Sequence, residues 1–360
     1  MPYFSNLNFG YFHPRRPLTL VKKQIRNLIA NQHKFDMIII DHSFEPFYVP
    51  NQHPLEQPWH TENRELTNKL VASLHVPTLI LHNDTTVDTV QQRYVPSFYF
   101  LVRDHPGNNG YCLQHATSVK KHLVSWLNNG VRDHRCHLLT KLWDKSYCNT
   151  DKFLYSFYNK QTFDPTGMQH YSETPRLDLR WLIKSCSKDT VNTVADKMQE
   201  IWPNLPVEID KHFSNVKLYD TKWFETINDV SDSKAFSECT ANIVSETSIF
   251  THMFLTEKAF KPIAMGMPIF VQHQPHTIKF LEQMGFDMYS DIIDNSYDSE
   301  INYEKRMDML VDAVDNFISM SPSISNDRIL NNVNDFFSDE RYSNQIQTLI
   351  QYIEEAYDDK

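Results

Sequence analysis

Seven glycines in 360 residues are too few and too scattered to write a Gly-x-Gly-x-x-Gly turn or a Walker-type loop anywhere in the chain. A phosphate bound here must be held by side chains and a helix N-terminus instead. Cysteine is scarce as well. The five residues Cys112, Cys136, Cys148, Cys186 and Cys239 are odd in number, widely spread and without a Cys-x-x-Cys pair. That argues against a disulfide framework and for reduced thiols in a cytoplasmic setting. Basic excess is missing: 35 Lys and Arg stand against 45 Asp and Glu, a net charge of −10. Broad attraction to nucleic acid needs clustered cations, so only a local basic cleft is compatible with this balance. No apolar run approaches the roughly 18 residues of a membrane span. The opening Met1 to Asn6 lacks the basic-then-apolar order of a secretory signal.

What is present is enough to fold. Hydrophobic residues make up 41% of the chain and aromatics 13%, which supports packed cores rather than disorder. The length favours two domains. Short apolar runs read as strands at 35–41, 78–82, 97–102, 153–157, 242–244 and 268–271. Helical spacing is read at 18–30, 63–74, 117–128, 135–143, 190–202, 277–284, 303–319 and 344–356. The polar stretch 159–176 reads as a long loop. Strands apolar on both faces and alternating with helices predict α/β architecture with parallel sheets. Asn129-Gly130 is a helix stop and the expected boundary between the halves.

One stretch concentrates chemistry. The strand at 242–244 runs into the carboxylate of Glu246. After a short loop Thr256-Glu257-Lys258 opens a helix that stops at Gly266, and a second strand follows. Acids and a lysine thus gather at the carboxyl edge of a sheet, where open α/β folds bind ligands. Thr256 is a natural N-cap. Lys258 and Lys261, three apart, share a helix face from which both reach a phosphate. An ionised Glu246 or Glu257 suits vicinal hydroxyls as a two-oxygen acceptor. The plain alternative is an ordinary α/β unit in which Glu257 pairs with Lys261 at i, i+4 on a solvated face. Pro262 removes one helical hydrogen bond.

The run from Thr256-Glu257-Lys258 through Phe260-Lys261-Pro262-Ile263-Ala264 and Gly266-x-Pro268 continues with Leu281-x-x-x-Gly285-Phe286, Asp291-Ile292-Ile293-Asp294-x-Ser296-Tyr297-Asp298 and Arg306. Upstream lies Arg132-Asp133-His134-Arg135-x-x-x-Leu139-x-x-Leu142. These blocks resemble GT-B glycosyltransferases, in particular a phage and bacterial fucosyltransferase-like group, over about 131–315; the first 130 residues resemble them only loosely. The resemblance implies two Rossmann-like domains facing a central cleft. Residues 1–130 would form an acceptor-side domain and 131–340 a nucleotide-sugar-binding domain, with a C-terminal helix, 341–360, crossing back to the first. It implies a nucleotide-diphosphate sugar as co-substrate, held by Glu246 and Glu257 near the ribose and by Lys258 and Arg135 at the diphosphate. The acceptor it implies is a glycan or a modified nucleobase in DNA. The chain departs from the group at Thr251-His252-Met253-Phe254, where an Asp-Tyr pair is usual, which leaves donor identity open.

A transferase also needs a group to take the acceptor proton. Glu45 and Asp41 lead the candidates, ahead of His42 and Asp84, all at strand ends in the first half, where turn-forming or capping is the plain alternative. His134-x-x-His137 and His273-x-x-His276 have helical or turn spacing, but without a Cys or a His-Glu-x-x-His frame they read as surface or capping histidines. No Asp-x-Asp follows a strand, so the expected chemistry uses no metal and no cofactor beyond the donor. Two readings of other classes stand beside the transferase. One is a non-catalytic or virion-associated binding protein that keeps a sugar-nucleotide fold. The other is a nucleotide-binding enzyme of another reaction type.

Overall fold

The computed structural model describes residues 92–128, 130–158, 179–207, 228–247 and 253–358 continuously, and residues 10–11, 29–30, 32, 37–42, 72–75, 77–82, 160–161, 170–171, 177 and 209 in shorter pieces. The chain is α/β with parallel sheets and divides into two compact units, 1–97 with 250–255 and 339–360, and 98–249 with 256–338.

The first unit holds a parallel sheet in the order β1-β2-β3-β4, from Gly10–Tyr11 (β1), Ile38–His42 (β2), Thr78–His82 (β3) and Gln92–Tyr94 (β4). Met37, Ile38, Ile39, Leu79, Ile80 and Leu81 are buried, as strands covered on both faces require. The C-terminal helix, Asp339–Asp358, packs against β3 in this unit. Its Glu355 pairs with Arg93 of β4 at 2.5 Å, and the Arg93 guanidinium lies 4.7 Å from the Tyr352 ring.

The second unit carries the sheet β10-β9-β5-β6, built from His122–Asn128 (β5), Phe153–Phe157 (β6), Cys239–Ser245 (β9) and Ile269–Gln272 (β10), all parallel. A short antiparallel pair, Lys160–Gln161 (β7) with His170–Tyr171 (β8), lies within the stretch read as loop. The helices of this unit, in chain order, are α1 (Ser97–Asp104), α2 (Asn108–His115), α3 (Asp133–Asp144), α4 (Arg180–Ser185), α5 (Lys188–Ile201), α6 (Lys234–Glu238), α7 (Glu257–Ala264), α8 (Thr277–Gln283), α9 (Tyr303–Met320) and α10 (Asn326–Phe336); the helix at 339–358 is α11.

Two expectations of element type fail here. Residues 117–128, read as a helix, contain strand β5 instead. His-Leu-Val-Ser-Trp-Leu-Asn is short and apolar enough to satisfy either period, and its central serine is partnered across the sheet: Asn242 Nδ2 donates to Ser125 Oγ at 2.7 Å, directly across the β5–β9 register. Because β5 hydrogen-bonds to both β6 and β9, residues 122–128 belong to the second compact unit, which begins at Phe98. Residues 97–102, read as a strand, form helix α1. Its buried Phe98, Tyr99 and Val102 have helical spacing, and Tyr99 packs edge-on against Phe336 at 5.1 Å while donating to the Phe336 carbonyl at 3.1 Å. Helix α10 was not read from the sequence, although Ser325 caps it, its Oγ accepting from Arg328 N. The readings at 18–30 and 63–74 lie mostly outside the described residues.

Helix α7 ends as its sequence demands. Gly266 sits at φ +66, Gly266 N–H donates to the Ile263 carbonyl and Met267 N–H to the Pro262 carbonyl, the paired bonds of a Schellman motif. A Cβ at Gly266 would lie 2.6 Å from the Ile329 carbonyl oxygen of α10, so close approach as well as conformation requires glycine there.

Candidate functional site at the carboxyl edge of the second sheet

Strand order places the site. From β5 the chain passes through α3 to β6 on one side; from β9 it passes through α7 to β10 on the other. With right-handed crossovers, α3 and α7 lie on opposite faces. Consistent with this, α3 packs with α9 while α7 packs with α10. The carboxyl ends of β5 and β9 therefore flank a topological switch point, the position where open α/β sheets bind ligands. Arg135, Glu246, Thr256, Glu257 and Lys258 all gather there.

Their roles differ. Glu246 is fully buried. One oxygen accepts from Thr256 N at 2.8 Å, the other from Thr256 Oγ at 2.7 Å and from Thr247 N at 3.2 Å. Burial raises its pKa, against the pull of Lys258 and the Thr256 bonds. With both oxygens engaged, Glu246 clasps the end of β9 to the start of α7, which corrects its expected role as acceptor for ribose hydroxyls. Arg135 is corrected likewise. Its guanidinium is buried and donates to the carbonyls of Ser245 at 3.1 Å and Glu246 at 3.4 Å, bracing the strand end rather than facing a diphosphate. Burial, with Arg132 adding to it, lowers its pKa to about 9.

Thr256 is the N-cap, its Oγ accepting from Lys258 N. The Lys258 ammonium, its side chain 30% exposed, reaches Glu257 Oε1 at 2.8 Å, Thr256 Oγ at 3.1 Å and Thr247 Oγ at 3.2 Å. Glu257 thus pairs with Lys258, not with Lys261. Lys261 does not sit beside Lys258: it is buried, with its ammonium 5.9 Å from the Phe236 ring. Of the two lysines, Lys258 is the accessible cation at the helix start.

Several residues that the sequence reading passed over complete the edge. Trp126 Nε1 donates to Ser245 Oγ, which donates to Gln272 Oε1, and Gln272 Nε2 donates to the His134 carbonyl, at 2.9, 2.6 and 2.7 Å. The His134 ring nitrogen Nε2 lies 3.0 Å from the Glu246 carbonyl oxygen. Of the four histidines read as surface or capping, His134, His137 and His273 are buried, whereas His276 is exposed and is the N-cap residue of α8; burial pushes His134 and His137 down to about 4. His276 starts α8 at φ 68. The amide of Asn128, at the carboxyl end of β5, is buried, and among the described residues neither Oδ1 nor Nδ2 has a hydrogen-bond partner. Correct placement of β5 would have pointed to it, because a polar residue ending a buried strand at a switch point faces the ligand edge.

Asp41 lies in β2 of the first unit and its side chain is not described; Glu45 and Asp84 lie outside the described residues. Among the described residues, no group of three or more His, Cys, Asp or Glu side chains is arranged to hold a metal ion, and no helix is long and apolar enough to cross a membrane. All five cysteines are free. Compared with models of known families, with curated proteins and with solved structures, the chain matches none.

Proposed function

We propose that the protein is a glycosyltransferase of GT-B-like plan, moving a sugar from a nucleotide-diphosphate donor to a glycan or a modified nucleobase in DNA, with the donor at the carboxyl edge of the second sheet. The observation that carries this reading is Lys258: a partly exposed ammonium in the first turn of a helix, at the switch point of a parallel sheet. Helix N-termini and ammonium groups both attract phosphate. In this reading the acceptor oxygen bonds to the anomeric carbon as the bond from that carbon to the diphosphate breaks. The acceptor proton passes to a carboxylate, Asp41 or Glu45. Charge growing on the departing nucleoside diphosphate is met by Lys258 and the start of α7, which is why no metal is written into the step. Glu257 remains the acidic partner for ribose hydroxyls, and Glu246 with Arg135 holds the helix start in position. The Asn128 amide offers an NH2 donor group and a carbonyl acceptor to a polar ring edge.

The engagement of both Glu246 oxygens favours a second reading, a non-catalytic binding protein built on the same fold. One assay separates the two. Stabilisation by a UDP- or GDP-sugar in a thermal-shift panel, lost in Lys258→Ala, together with release of nucleoside diphosphate in the presence of glycan or DNA, is the transferase outcome. Loss of a charge-assisted contact of about 1.5–3 kcal/mol predicts roughly 10- to 100-fold weaker donor binding in Lys258→Ala. Donor binding without turnover selects the binding protein, and no response to any nucleotide sugar sinks both.

A further inference from the structure

Two helices begin at the carboxyl edge of the second sheet, and their first turns differ in charge. At α7 the Lys258 ammonium stands in the first turn. At α3, twelve residues long, the first turn carries Asp133, which is buried, and the exposed Arg132 at the N-cap makes no side-chain cap. The Arg135 guanidinium nearby donates to the carbonyls of Ser245 and Glu246. A phosphate at the start of α3 would meet the Asp133 carboxylate, whereas a neutral, dipolar group would not be repelled.

Asn128 stands just ahead of this helix start. It is 2% exposed, and among the described residues its amide has no hydrogen-bond partner for either Oδ1 or Nδ2. Only its backbone is engaged: Asn128 N–H donates to Ser156 Oγ and its carbonyl accepts from Tyr158 N, both at 3.3 Å. Side chains alternate along a strand, so Asn128 shares a face of β5 with Trp126. Trp126 is joined through Ser245 and Gln272 to the His134 carbonyl in the first turn of α3. The Asn128 amide therefore lies on the α3 face, one step nearer the carboxyl edge than Trp126. A buried amide without partners is a cost that a ligand offering both a donor and an acceptor removes.

We propose that Asn128 reads the base of the donor nucleotide, and that the base presents a ring N–H beside a ring carbonyl, as uracil and guanine do. This rests on the reading of the carboxyl edge as a nucleotide-sugar site. Nδ2 donates to the ring carbonyl while Oδ1 accepts the ring N–H. A phosphate, which brings acceptors alone, would leave Oδ1 unanswered. The positive end of the α3 dipole favours ring carbonyl oxygens over the amino groups of adenine and cytosine. The reach fits as well. Two residues past the Trp126–Ile243 pair, the β5–β9 register sets Asn128 beside Ser245, about 4.8 Å away. Glu246 follows and is bonded to Thr256, whose Oγ is 3.1 Å from Lys258 Nζ. A base at Asn128 and a diphosphate at Lys258 are thus on the order of 10 Å apart, the span of an extended nucleoside diphosphate.

The test is calorimetric titration of the full chain with UDP, GDP, ADP and CDP, and with 3-methyl-UDP and 1-methyl-GDP, in which the ring N–H is blocked. UDP or GDP is expected to bind at least about 10-fold more tightly than its own methylated form, and than ADP or CDP. In Asn128→Leu, close to it in size, that preference is expected to vanish. The urea midpoint of ligand-free Asn128→Leu should hold or rise, because an amide without partners is removed. Three results overturn the assignment while leaving the transferase reading in place: nucleotide binding indifferent to methylation, a preference for ADP or CDP, or discrimination that survives in Asn128→Leu. Indifference to methylation together with a lower urea midpoint in Asn128→Leu would give the amide to an ordered water only. No binding of any nucleotide or nucleotide sugar removes both readings. The methylated nucleotides need no substitution, so an Asn128→Leu protein that fails to fold does not remove the test.

Discussion

The two edges of the second sheet treat charge in opposite ways. At the carboxyl edge, Arg135 and Glu246 are buried yet largely answered: the guanidinium by the carbonyls of Ser245, Glu246 and Gly130, with its Nε left over, and the carboxylate by three donors. At the amino edge, Lys120 is less deeply buried but has a single carbonyl partner and an open cavity beside it. Residue types alone rank the first edge as the richer ligand site. Hydrogen-bond satisfaction reverses that ranking for individual groups, because a buried charge whose bonds are complete holds the fold together, while an unanswered one has capacity left for a ligand. Within the carboxyl edge the same rule separates the partly exposed Lys258 from the buried Arg135.

The sharpest way to break this comparison is acid. His134 and His137 are buried and neutral, with pKa values lowered to about 4 from the usual 6.5. A depressed folded-state pKa contributes stability that is complete above pH 6.5 and is lost as pH falls through 4. Each histidine therefore costs on the order of 3 kcal/mol across that window. Glu246 works in the opposite sense: its raised pKa means that acid relieves its burial, offsetting part of the loss. Urea unfolding at pH 7 and pH 4.5 is expected to show a large net loss, flattened in His134→Gln; a profile level over that range would mean that the edge is hydrated.

Next in size is Arg135→Met. Two buried carbonyls lose a charged donor, so unfolding free energy should drop by roughly 2–3 kcal/mol, read from the urea midpoint. A drop under about 0.5 kcal/mol would show that Arg135 is free for a ligand after all. The smallest effect is expected at the other edge. Lys120→Gln should change stability by less than about 1 kcal/mol, because the ammonium has little protein partnership to lose. A loss as large as that of Arg135→Met would erase the contrast.

How far these features were readable depends on range. Strand 78–82 and the α7 unit were readable because each is set by neighbours within a turn: the cap at Thr256, the Schellman end at Gly266, a run of β-branched and leucine residues. Strand β5 and helix α1 exchanged types in the reading because each is a short apolar run whose state is chosen by what it packs against: β5 lies between β6 and β9, and Tyr99 is gripped by Phe336 far along the chain. Helix α10 carried a readable cap in Ser325 and apolar spacing at Ile329, Val333 and Phe336. In the site, the identity of the Thr-Glu-Lys cluster was local and legible. The occupation of Glu246 by residues ten positions on, and of Arg135 by carbonyls more than a hundred positions away, was not.

By itself the sequence determined that parallel α/β layers would form, that a helix would begin at Thr256 with Lys258 in its first turn, and that no glycine cradle would serve a phosphate. Those outcomes follow from period, capping chemistry and composition, all of which act between near neighbours. Only the tertiary structure decided which charged groups were spent on the fold and which were left over. Glu246 is held by the start of α7 and Arg135 braces the end of β9, both brought together in space, and Lys120 borders a cavity assembled from four separate stretches of chain. Desolvation and hydrogen-bond completion are properties of that assembly, and no single segment carries them.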